Sequence, residues 1–340
     1  MESRASGVDE PGSLMGRVAL LGVGAYAPAR VVTNEDWSRH VNTTDAWITT
    51  RTGIKRRHMA SDDESTSDLA VAAARGALAD ARLTAAEIDE IIVATDTPDV
   101  YIPDTASLVQ HRLQAREVPA YDLARGGCAG FLQGLDIARS RTVGGAKILV
   151  IGVQLLLRLI DWKDRNSCVL FGDAAGAAVV AAGEGGAEIL AVVSGTDGSK
   201  AAMIGMEVGG TRLPFTMERA REDLHRRVSL DGRGVVKEAV RRMTEGAHAV
   251  LEKAGCQLDE VDLFVPHQAN LRIIEALARN LDFPMDKVFV NIEEYGNTGA
   301  ASIPLALYEA RERGRLRPGD LVLLTAFGAG LHWSAALVRF

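Results

Sequence analysis

Along the chain, apolar residues gather in short uninterrupted runs, several of them preceded by a helical pattern. Residues 72–97, "AAARGALADARLTAAEIDEIIVATDT", read as an Ala-rich helix, a short acidic turn and an apolar strand. Residues 245–270, "EGAHAVLEKAGCQLDEVDLFVPHQAN", repeat that order 173 positions later (245 − 72). "GGAKILVIG" from Gly144 and "RPGDLVLLT" from Arg317 are each a Gly-containing turn, a charged residue and a strand, again 173 apart (317 − 144). Two looser pairs are "RVALLGVGAY" (17–26) with "EILAVVSGTDG" (188–198), and "FGDAAGAAVV" (171–180) with "FGAGLHWSAALV" (327–338). Ordered pairs at a constant offset predict two copies of one unit of ~170 residues. The runs "IIVAT", "ILVIG", "LFVP" and "LVLLT" are rich in Ile, Val and Leu without alternation, which suits strands covered on both faces. Residues 168–183 and 331–339 read as long closing strands that pair antiparallel. Two unrelated α/β domains are the alternative, since helix–strand units also resemble one another by chance.

The pattern divides the chain into a disordered polar tail over 1–15, a first half over 16–184 and a second over 185–340. The tail has no apolar segment of the kind a signal peptide carries. With 340 residues, 47% of them hydrophobic, the chain can bury a large core. No apolar stretch approaches the roughly 18 residues needed to span a bilayer, so no membrane association is expected. A net charge of −7 argues against nucleic acid and anionic membranes as partners, and an acidic protein partner would need a local basic patch. The three cysteines, Cys128, Cys168 and Cys256, are an odd set in a long chain. That predicts free thiols in a reducing, cytoplasmic compartment.

Three positions stand out for chemistry. In "YDLARGGCAGF" (121–131), Cys128 follows a strand and opens the helix "AGFLQGLDIARSR". The positive end of that helix favours thiolate over thiol. A buried structural thiol is the other reading, the usual fate of a free cysteine. In "FVPHQAN" (264–270), His267 follows a strand, and Asn270 is a natural N-cap for the helix behind it. In "YGNTGAAS" (295–302), Asn297 sits in a Gly-rich turn where asparagine is common for purely local reasons. In a pseudo-twofold fold the matching edges of the two halves can share one pocket. The turn in "AFGAGLHW" (326–333) could then bind an oxyanion together with the N–H of Cys128. His332 in that segment reads as strand packing, and no metal-ligand spacing appears.

The sequence resembles the β-ketoacyl-acyl carrier protein synthase III family of the thiolase superfamily, from about Arg17 to Phe340. The resemblance is carried by "TDAWITTRTGI" (44–54), "GCAGF" (127–131), "DWKDRNSCVLFGDAAGA" (161–177), "VPHQANLR" (265–272), "YGNTGAAS" and "FGAGLHWSAALVRF" (327–340). It implies an α/β thiolase fold, a duplicated αβαβα layering and a homodimer. It implies an acyltransferase in which Cys128, His267 and Asn297 are catalytic, with backbone N–H groups of Cys128, Ala329 and Gly330 as an oxyanion hole. Cys128 would take an acyl group from acyl-CoA, and a malonyl thioester, on an acyl carrier protein or CoA, would then condense with it after losing CO₂. No cofactor is implied beyond the coenzyme A thioester substrates. Trp47, Arg51, Thr52, Arg165 and Arg233 match CoA contacts, Arg272 a carrier-protein patch, and Ile102 an acyl-pocket position at the dimer interface.

Three departures bear on the acyl primer. Arg125 stands before the cysteine in "ARGGC", where small or polar residues are usual. "GVQLLLR" (152–158) replaces a more usual "GAE-LS" pattern, and Ile102 stands where an aromatic is common. Fatty-acid initiation and secondary, polyketide-type metabolism with a larger or unusual primer both fit. Acyl transfer to an alcohol or amine without condensation, or a non-catalytic dimer partner, are the rival functions.

Overall fold

A strand that is apolar on both faces must be covered on both sides, and the layering of this protein follows from that requirement. The computed structural model describes residues 16–340 except Arg125 and Glu184. The expected tail over 1–15, the departure at Arg125 and the expected half boundary at Glu184 therefore lie outside the described residues.

The strands are β1 (Val18–Tyr26), β2 (Arg30–Thr33), β3 (Arg56–Met59), β4 (Glu90–Thr95), β5 (Ala120–Ala124), β6 (Lys147–Leu155), β7 (Asp173–Ala182), β8 (Ala187–Thr196), β9 (Ile204–Met206), β10 (Val228–Leu230), β11 (Leu263–Pro266), β12 (Leu321–Gly328) and β13 (His332–Arg339). Nine of them form one continuous sheet in the order β11-β12-β13-β8-β1-β7-β6-β4-β5. Each end of that order tells the same story. From β1 outward the first half runs β1-β7-β6-β4-β5, and from β8 outward the second runs β8-β13-β12-β11. A parallel bridge from Phe264 to Val288 lies where the second half would have its outermost strand. Within this sheet the two halves join through the antiparallel β1–β8 pairs Ala19–Glu188 and Leu20–Ala187.

The pairing directions repeat as well. β4 lies parallel to β5 and β6, and β11 lies parallel to β12. The closing strands β7 and β13 run antiparallel to their neighbours. β7 begins at Asp173, later than the expected 168, because Arg165–Cys168 forms a helical turn capped by Asp164.

Side chains alternate between two cores. Ile92, Ile148 and Val150 point inward with Val265, Val322 and Leu324 of the second half, onto the helices Gly130–Arg141 and Ser302–Glu312. Ile91, Val93 and Leu149 point outward, onto the helices Thr66–Asp80 and Thr105–Leu113. Phe264, Leu321 and Leu323 do the same in the second half, beneath the helices Gly232–Ala254 and Leu271–Asn280. The result is five layers, helices alternating with sheet. Each fully buried Ile, Leu or Phe side chain contributes about 1.5–3 kcal/mol to holding them together. The central pair of helices matters most for function, because a short turn at the start of each enters the site. Among the described residues no helix is long and apolar enough to cross a membrane.

Candidate active site

Cys128 lies in the tight turn Gly127–Ala129 between β5 and the central helix Gly130–Arg141. Gly127 holds a left-handed φ of +57°, which re-aims the chain just before the sulfur. The end of β12 presses on this turn from the other half. A Cβ on Gly127 would lie 2.7 Å from the Ala329 nitrogen, and one on Gly328 would collide with the Cys128 nitrogen. Only glycine lets these two backbones meet, so the Cys128 turn packs directly against the Gly328–Ala329 backbone.

His267 follows β11 directly. Its N–H donates to the Thr325 carbonyl at 2.8 Å, extending the parallel pairing by one residue. Gln268 behind it is a brace: its side-chain amide donates to the carbonyls of Pro266 and Phe289 and accepts from Asn291 N–H. Asn270 caps the helix Leu271–Asn280 by accepting from Arg272 N–H. Asn297 is pinned by backbone bonds to Leu170 and Gly172, and its Oδ1 accepts the Gly299 N–H at 2.9 Å. With that oxygen engaged, the NH₂ group is the part left to donate elsewhere.

Cys128, His267 and Asn297 line one cavity of about 540 Å³. Most of its wall is apolar, including Leu156, Ile204, Val228, Val235, Ile273 and Phe327. Cys128 Sγ lies 4.0 Å from Asn297 Oδ1. The apolar wall sets the electrostatics. Burial drives the His267 pKa down to about 3, so the imidazole is neutral at physiological pH. Its Nδ1 is buried without a hydrogen-bond partner. Burial also pushes the Cys128 thiol up to about 12, with the Asp96 carboxylate adding to the rise. The helix end was expected to favour thiolate. Losing hydration in an apolar cavity outweighs that partial charge, and the resting sulfur is a thiol.

The chain matches a family model for 3-oxoacyl-[acyl-carrier-protein] synthase III over residues 121–198 and the model for its C-terminal part over residues 251–340. A β-ketoacyl-[acyl-carrier-protein] synthase III of Roseiflexus castenholzii is 48% identical over 324 residues, 95% of this chain and 98% of that protein. This chain belongs to the β-ketoacyl-acyl carrier protein synthase III family. Among solved structures, a 3-oxoacyl-[acyl-carrier-protein] synthase III of Aquifex aeolicus superposes with a TM-score of 0.86 at 45% identity, covering 95% of this chain and 100% of that one. A priming β-ketosynthase from the R1128 polyketide biosynthetic pathway superposes at 0.87 with 36% identity, covering 97% and 99%. The duplicated five-layer architecture is the thiolase fold.

The remaining residues expected of a synthase III divide into those at the cavity and those away from it. Trp47, Arg51 and Thr52 line it from the helix Asp45–Thr52. The Arg51 guanidinium lies 4.4 Å and that of Arg165 4.6 Å from the Trp47 ring centre, although Arg165 is not itself a lining residue. The Thr52 hydroxyl donates to the Ile48 carbonyl and accepts from Ile54 N–H, bonds that close the helix. Arg233 is exposed and off the wall. The helix turns it outward, and Val235, Val236 and Ala239 take the lining positions. Arg272 is exposed between the lining residues Asn270 and Ile273, and donates to the Thr50 carbonyl. Ala329 lines the cavity and Gly330 does not. Ile102 is 82% exposed and lies outside this chain's own cavity. Asp96 was not singled out from the sequence. It lines the cavity one residue beyond β4, much as His267 does beyond β11, and that parallel was the signal available.

Proposed function

We propose that this synthase III carries out a decarboxylative Claisen condensation in two half-reactions, with Cys128 as nucleophile and His267 and Asn297 as donors to the enolate. The reading is carried by one observation: a thiol from the first half and an imidazole and a carboxamide from the second line a single apolar cavity.

In the first half-reaction the Cys128 sulfur attacks the carbonyl of an acyl-CoA thioester. The new S–C bond forms as the C–S bond to CoA breaks, and the thiol proton leaves with the CoA thiol. In the second, a malonyl thioester loses CO₂, and its electron pair becomes an enolate. A neutral His267 with its proton on Nε2, and the Asn297 NH₂, stabilise that oxygen without the penalty of a buried cation. The carbanion attacks the acyl carbonyl. The backbone N–H groups of Cys128 and Ala329 hold the tetrahedral oxyanion, which collapses to the β-ketoacyl product and a Cys128 thiolate that regains a proton.

Trp47 and Arg51 at the cavity suit an adenine face and a phosphate. Arg272, with Arg226 and Arg227 just before lining residue Val228, gives an acidic chain a basic rim for an acyl carrier protein. Exposed Val100, Tyr101 and Ile102 form an apolar loop suited to a second subunit. We infer a cytoplasmic homodimer that needs no cofactor beyond its thioester substrates, with Cys128 kept reduced.

The test follows the two half-reactions. Incubation with acyl-CoAs should add an acyl mass to Cys128. Later addition of malonyl-CoA or a malonyl-carrier protein should release CO₂ and form a β-ketoacyl thioester. Loading followed by ester or amide formation without CO₂ would overturn condensation, and failure to load with any acyl-CoA would overturn the enzymatic reading.

A further inference from the structure

Gln154 and Asp96 form a closed pair beside the nucleophile. Gln154, near the end of β6, is completely buried. Its Nε2 donates to Asp96 Oδ2 at 2.9 Å, and its Oε1 accepts the Asp96 N–H at 3.1 Å and the Thr97 hydroxyl at 3.4 Å. Two bonds in opposite directions fix the Asp96 side chain. Its other oxygen, Oδ1, accepts the N–H of Gly127 at 3.3 Å, the residue immediately before Cys128.

The pair also reaches the second half. A Cβ on Gly299 would lie 2.6 Å from Gln154 Cγ. Gly299 has a left-handed φ of +58° and gives its N–H to Asn297 Oδ1. One buried amide therefore bonds to the residue that holds the Cys128 turn and packs against the residue that holds Asn297. We propose that Asp96, clamped by Gln154, is a positioning residue that sets the Cys128 turn and keeps it in register with the Asn297 turn.

A second consequence follows from charge. Among the described residues, the ionisable side chains lining the cavity with Cys128 are Arg51, Asp96 and His267, and His267 is neutral. Burial disfavours the Cys128 thiolate, and the Asp96 carboxylate adds to that effect. The inference rests on Cys128 as the reactive sulfur, but its test does not require catalysis.

Asp96→Asn keeps an acceptor for Gly127 N–H, removes the charge and sets its NH₂ group against the Gln154 Nε2 donor. Its Cys128 should be alkylated by iodoacetamide faster than wild type at pH 8, by about tenfold, with the pH profile moved down about one unit. Superimposable profiles would overturn the charge role. Gln154→Leu removes the clamp with Asp96 intact. It should slow both acyl loading and malonyl decarboxylation about tenfold or more, with KM for acyl-CoA within about twofold. Unchanged rates in both half-reactions would overturn the positioning role. Alkylation needs no turnover, so a wild-type protein that never loads acyl groups would sink the condensing mechanism while the profile still decides the role of Asp96.

Discussion

The sulfur of Cys128 lies 4.0 Å from the amide oxygen of Asn297, across 169 residues of chain. Two equivalent turns, Gly127–Ala129 and Gly299–Ala301, each at the start of a central helix, bring them there. The first carries the nucleophile, and the carboxamide of Asn297 stands two residues before the second. Duplication of a fold unit has thus produced one asymmetric site, with different chemistry on matching edges.

Asn297→Asp tests that division of labour. The carboxylate retains an acceptor for Gly299 N–H and replaces a donor with a negative charge facing the enolate. Acyl loading of Cys128 should persist, and CO₂ release from malonyl thioester should fall by about a hundredfold to a thousandfold. Mass spectrometry of the acyl-enzyme and a CO₂ assay separate the two. Equal loss of both would count against the enolate role.

Gly328→Ala places a methyl group into the Cys128 backbone nitrogen. The nucleophile turn must shift, and loading should slow by about a hundredfold. Gly198→Ala, where an added Cβ meets nothing within 4 Å, is the control and should load normally.

His267 gives stability a definite pH dependence. Its folded pKa is about 3, and the unfolded side chain takes up a proton near ~6.5. The unfolded state therefore binds more protons between those values, and stability falls as pH drops through that window. Asp173, raised by burial to about 6, acts in the opposite sense between its unfolded value and about 6. The difference between wild type and His267→Gln isolates the imidazole. Wild type should lose up to about 1.4 kcal/mol per pH unit relative to the variant below pH 6.5, by denaturant titration. Parallel stability curves would show that His267 is not held neutral.

Trp47→Ala removes the ring that Arg51 and Arg165 stack against. KM for acyl-CoA should rise about tenfold, equivalent to about 1.4 kcal/mol. KM for a pantetheine thioester that lacks the nucleotide should stay unchanged. An equal rise for both substrates would place the nucleotide elsewhere.

Ile102→Phe asks whether the exposed loop completes a neighbour's acyl pocket. In a dimer where Ile102 enters the partner's cavity, the larger ring shortens the longest acyl-CoA that loads Cys128. An unchanged chain-length profile would free Ile102 of that role.

Much was written in the sequence. The 173-residue offset announced two copies of one unit, because strands buried on both faces leave runs of Ile, Val and Leu that survive as a pattern. Cys128, His267 and Asn297 each stood in a turn with a local signature. Those signals are short-range: strand, turn, helix start. The tertiary structure decided whatever depends on neighbours distant in the chain. It showed a Cys128 thiol raised by burial where the helix end alone argued for thiolate. It took Arg233 off the cavity wall, because the helical period assigned that side to Val235 and Val236. It joined half-buried Asp96 to buried Gln154 and Gly299, a grouping that the sequence does not display. Hydration and charge depend on what surrounds a group in three dimensions, and a linear pattern records only which groups were available.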